Sequence, residues 1–126
     1  DLWDGDLTRA RVKEARAALE MAREEERKVK LAVDLEMEQA RLNLREAAER
    51  LKVSGQSVDQ AAESAQLTRA RFEQGLALAT QVIDAETALI AARVRRAEAD
   101  ADRQIAAAAL RKAVGLPQIA SGTTQP

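Results

Sequence analysis

Arg71-Phe72-Glu73-Gln74-Gly75-Leu76-Ala77, followed by Gln81-Val82-Ile83-Asp84-Ala85, is the stretch on which the fold turns. On both sides the sequence is rich in Ala, Leu, Glu, Gln and Arg, the residues that lose least on becoming helical. Gly75 has no Cβ and can adopt the left-handed backbone that reverses a helix. The spacing therefore predicts an all-α chain, a long antiparallel coiled-coil-like hairpin with its turn at residues 72–76.

The flanking helices differ in length. Upstream, an apolar stripe runs through Val12, Ala15, Leu19, Ala22, Val29, Val33, Met37, Ala40, Leu44, Ala47 and Leu51, mostly in steps of three and four. Two successive fours at Val29–Val33–Met37 depart from a strict heptad towards the period of a less supercoiled helix. Asp6 is placed to cap a helix over residues 7–71, roughly 95 Å long at the standard rise. Val53-Ser54-Gly55-Gln56-Ser57 admits a loop, since Ser and Gly punctuate structure. Yet the stripe continues in phase to Val58, Ala62, Ala65 and Phe72, which favours an unbroken helix with Gly55 at a close helix–helix contact.

Downstream, a shorter helix is predicted over residues 77–115. One stripe comprises Val82, Ala85, Leu89, Ala92, Ala99, Ala106 and Leu110. Beside it run Ile83, Ile90, Val94, Ala97, Ala101, Ile105 and Ala108. Two stripes imply more than one neighbour. Gly115 suits the C-terminal cap and Pro117 the stop, leaving 116–126 as a flexible tail. A short helix cannot cover a long one, so the distal stripe of the first helix needs partners beyond the hairpin.

Composition narrows function mainly by exclusion. The chain has 126 residues, Trp3 and Phe72 as its only aromatics, and neither His nor Cys. Zinc ligation by thiolate or imidazole and thiol nucleophilic catalysis are therefore excluded. No glycine-rich phosphate loop is present. Twenty basic residues against 21 acidic ones give a formal charge of −1, with the signs interspersed, which speaks against nucleic-acid binding. Asp100 and Asp102 fall on different sides of a helix and make a poor acid–base pair. No enzyme activity and no cofactor or metal are expected. Asp1, without a leading Met or signal segment, reads as the start of a fragment or processed chain.

Several motifs in order resemble the C-terminal half of the TolC-like outer membrane efflux protein family. Leu2-Trp3-Asp4-Gly5-Asp6 is similar to its strand-to-helix turn, with Asp6 in place of a second glycine. Gln39-Ala40-Arg41-Leu42-Asn43-Leu44 is similar to a stretch of its long helix. The strongest likeness is the turn Arg71-Phe72-Glu73-Gln74-Gly75 with Val82-Ile83-Asp84-Ala85 and Leu89-Ile90-Ala91-Ala92 after it. Ala109-Leu110-Arg111-Lys112-Ala113-Val114-Gly115 resembles the family's ending.

This resemblance, over about residues 1–117, implies that residues 1–6 end a strand and turn into the helix. It implies a homotrimer with a β-barrel in the Gram-negative outer membrane and an α-helical barrel crossing the periplasm. The hairpin would be a tunnel segment, passively conducting substrate supplied by an inner-membrane pump through a periplasmic adaptor protein. By the same resemblance Arg71, Phe72, Gly75 and Leu76 form the adaptor-docking tip. Gln81 and Asp84 occupy the tunnel-gate positions, of which only Asp84 is acidic. The alternative reading is a non-transport helical-hairpin interaction module.

Overall fold

The computed structural model describes residues 2–115. Two helices account for nearly all of them: α1, Leu2–Glu73, and α2, Ala79–Val114. At 72 residues against 36, α1 is twice as long as α2. Residues 39–115 form the hairpin unit, and residues 2–38 form a separate unit consisting of helix alone.

In the hairpin the contact seam buries mainly alanines, with leucines and valines half-buried between them. Its buried residues are Ala40, Ala47 and Ala65 on α1 with Leu89, Ala92 and Ala99 on α2. Half-buried Leu44, Leu51 and Val58 on α1, and Val82, Ala85 and Leu110 on α2, continue it. These are the stripes expected from the sequence. Their steps of three, four and seven keep one face of each helix turned to the other. Methyl-sized side chains let two helix backbones approach closely, at the cost of a thin core.

The second stripe of α2 is bare. Ile83, Ile90, Val94 and Ile105 keep 64%, 59%, 51% and 68% of their surface exposed. In residues 2–38 the stripe residues Val12, Leu19, Val29 and Val33 are likewise exposed. No apolar partner within its own unit covers that segment.

Several expectations need correction. No turn precedes α1 among the described residues, where Leu2–Asp6 is already helical. Asp4 in the first turn suits the helix dipole, Thr8 Oγ1 donates to the Asp4 carbonyl at 2.7 Å, and Gly5 raises no steric objection to helix. The turn lies two residues later than the 72–76 expected, so α2 begins at Ala79 rather than 77. Gly55 is inside an unbroken α1, but not at a close contact. The seam passes through Leu51, Ser54 and Val58, and Gly55 lies one residue to its side. A Cβ built there meets nothing within 4 Å.

The flanking serines show why this stretch does not break. Ser54 Oγ donates to the Leu51 carbonyl at 2.7 Å and Ser57 Oγ to the Val53 carbonyl at 3.1 Å, so both hydroxyls are satisfied inside the helix. The expected Pro117 stop and the 116–126 tail lie outside the described residues.

Because open space surrounds the missing Cβ, Gly55→Ala is expected to stabilise the hairpin by about 0.5–1 kcal/mol through helix propensity. Urea unfolding followed by circular dichroism at matched protein concentration would measure it. A loss of stability would show that Gly55 is in a closer contact than the hairpin contains.

Candidate functional site

The turn that closes the hairpin is specified by one residue. Gly75 has φ +74, and it and Gly115 are the described residues with positive φ. Leu76 N–H donates to the Arg71 carbonyl at 2.8 Å and Gly75 N–H to the Phe72 carbonyl at 3.0 Å. This pair of bonds is the Schellman motif, in which a left-handed residue lets the chain satisfy the helix's last carbonyls while leaving its axis. Arg71 in the last turn also places a cation at the negative end of the dipole.

α2 starts without a polar cap. Leu78 occupies the N-cap position with φ −84 and ψ 153, and its side chain has no acceptor to offer. The reverse half of a capping box compensates: Gln81 Oε1 accepts from Leu78 N–H at 2.8 Å. Gln81, a gate position by resemblance, thus has its acceptor committed to holding the start of α2.

Asp84 is different. It lies beyond the first turn of α2, which holds no acidic residue, and so it does not cap the helix. It is exposed and makes no ion pair or hydrogen bond among the described residues.

An open groove on one side of the hairpin gathers Arg71, Leu76, Gln81 and Asp84, with Ser64 and Thr68 along its wall. Four of the six candidate residues therefore meet on one side of the tip. Phe72 remains 46% exposed and Leu76 74% exposed, so neither seals the end of the seam. Leu78, not singled out from the sequence, is 68% exposed beside them. Its signal was the absence of Ser, Thr, Asp or Asn before Thr80-Gln81-Val82, which leaves an apolar residue at the N-cap.

One ion pair crosses between the helices near the tip, from Arg69 Nη2 to Glu86 Oε1. Both side chains reach solvent, so its contribution is about 1 kcal/mol at most. Among the described residues no cluster of His, Cys, Asp or Glu could hold a metal ion, and no helix is long and apolar enough to cross a membrane.

A family model described as outer membrane efflux protein matches residues 1–116, almost the whole chain. No curated protein and no solved structure matches it.

The left-handed turn makes a graded prediction. Gly75→Ala should lose about 1–2 kcal/mol from the strain of positive φ, although its Cβ would meet no neighbour. Gly75→Asn should lose less, since Asn tolerates that region. Equal losses in denaturant titrations would mean that backbone strain does not set the effect.

Proposed function

Because the chain belongs to the outer membrane efflux protein family, we propose that its hairpin is a wall segment of the periplasmic tunnel in a homotrimeric efflux or secretion channel. The observation that carries this reading is the pair of apolar seams on α2. Ala85, Ala92 and Ala99 face α1, whereas Ile83, Val94 and Ala101, each two residues away, are exposed. Two residues rotate a helix by about 200°, so the seams lie on nearly opposite sides. A helix apolar on opposite flanks has a neighbour on each side, as in the wall of a closed helical ring. The bare stripe on residues 2–38 asks for neighbours in the same way.

The tip is where this reading places the adaptor. Phe72, Leu76 and Leu78 leave apolar surface uncovered around a turn fixed by Gly75, with Arg71 beside it. Such a surface supports docking of another helical hairpin. The channel conducts passively, and an inner-membrane pump acting through the adaptor supplies the work. The protein resides in the outer membrane, with this segment in the periplasm.

Asp84 is the gate residue in this reading. Three copies around a trimer axis form a ring of like charge that favours a cation or a basic partner. Gln81 is an uncharged amide, so the gating charge rests on Asp84 alone.

Three measurements on the full-length channel test these roles. Ile90→Asp with Val94→Asp should abolish the trimer, because the second seam would carry charge into an apolar contact. A normal trimer would take the hairpin out of the wall and leave a non-transport helical module. Leu76→Asp should retain the trimer but lose transport; normal efflux would remove the docking role. Asp84→Ala should raise closed-state conductance and reduce its sensitivity to divalent cations. Unchanged values would leave Asp84 without a gating role.

A further inference from the structure

Residues 9–30 of α1 carry their charges unevenly around the helix. Arg9, Arg16, Arg23 and Lys30 follow one another at intervals of seven residues, and Lys13 and Arg27 stand between them. At 3.6 residues per turn these six cations fall within an arc of about 100° and along roughly 32 Å of axis. Glu20 is the one acid of this stretch inside that arc. Glu14, Glu24, Glu25 and Glu26 lie outside it, so signs that are mixed along the sequence separate around the axis.

All six cations are exposed. Arg27 Nη1 pairs with Glu24 Oε1 at 2.6 Å, whereas Arg9, Lys13, Arg16, Arg23 and Lys30 have no ion pair among the described residues. Like charges four residues apart on a helix repel, as at Arg9–Lys13 and Arg23–Arg27. The stretch bears that repulsion with one acid on the face to relieve it, and its charge is left for an external anion.

What the face lacks selects the occupant. Val12 stands at one edge, and no other apolar residue shares the arc. A docked protein helix needs an apolar seam, because exposed ion pairs contribute little one at a time. No aromatic side chain lies on the face, so a single-stranded nucleic acid has nothing on which to stack its bases. A linear polymer with carboxylates on successive sugars needs neither feature. Its binding energy comes from release of condensed counterions, for which a straight line of cations suffices. We propose that the Arg9–Lys30 face of α1 is a binding site for a linear carboxylated polysaccharide laid along the helix. The face belongs wholly to residues 2–38 and does not depend on the role of the hairpin or of its tip.

The test uses the whole chain and a fluorescently labelled oligogalacturonate long enough to span the face, with its methyl ester as the uncharged control. Fluorescence anisotropy should show binding of the acid and none of the ester. Raising salt from about 50 to about 200 mM should weaken the complex at least about tenfold. Arg9→Gln, Arg16→Gln, Arg23→Gln and Lys30→Gln combined should reduce affinity at least about tenfold with unchanged helicity, all four side chains being exposed. Arg11→Gln, Lys28→Gln, Lys52→Gln and Arg96→Gln combined alter net charge equally but off the face, and should cost less than about threefold. Glu20→Gln should tighten binding severalfold, a gain that a misfolded variant cannot mimic.

No binding of the oligogalacturonate, equal losses in the two fourfold variants, or no gain from Glu20→Gln would overturn the proposal. So would tighter binding of single-stranded DNA of the same charge, because the occupant would then be a nucleic acid.

Discussion

The contact between Ala40, Ala47 and Ala65 on one helix and Leu89, Ala92 and Ala99 on the other governs everything else in the hairpin. A buried methyl contributes about 0.8 kcal/mol, and ordering one backbone residue costs roughly 1–2 kcal/mol. Such a seam aligns two helices that are already inclined to form. It cannot supply the surplus stability of a thick core. The composition sets this limit, since a chain rich in alanine with two aromatics has little else to bury. The remaining larger apolar residues are consequently displayed: Ile83, Ile90 and Val94 on α2, Val12 to Val33 on α1, and Phe72 and Leu76 at the turn. In the proposed channel wall the same property would be used constructively, because each helix retains surface for its next neighbour.

Much of this architecture was legible in the sequence because it depends on period and on glycine. Gly75 and Gly115 both occupy the left-handed conformation their positions demanded, and both stripes of α2 came out as one buried and one bare seam. What failed to read correctly depended on context a few residues wide. Gly55 shares the phase of the seam closely enough to look like a contact, but one residue is 100° of rotation, which carried it to the side of the seam. Leu2–Asp6 contains turn-forming residues, yet Asp4 and Thr8 serve a helix start equally well. Gln81 was read for its place in a family pattern, whereas its local bond to Leu78 follows from the lack of a polar cap just before it.

The groove that gathers Arg71, Leu76, Gln81 and Asp84 required the folded hairpin to be seen, because Arg71 and Asp84 stand on different helices. An overall charge of −1 with interspersed signs likewise hides a face of α1 on which the cations from Arg9 to Lys30 meet no acid but Glu20. Averages over a helical sequence erase this kind of sidedness, since residues close in sequence are dispersed around the axis.

An alanine seam also has little corrugation. Large knobs lock two helices against axial displacement, whereas methyl groups present a shallow, repeating profile with a small barrier from one register to the next. In this hairpin the features that oppose sliding, the Gly75 turn and the Arg69–Glu86 pair, are both at one end. Away from that end, Leu44, Leu51, Leu89 and Leu110 are the larger knobs set among the alanines. A displacement of one helix along the other meets those few knobs rather than a continuous core.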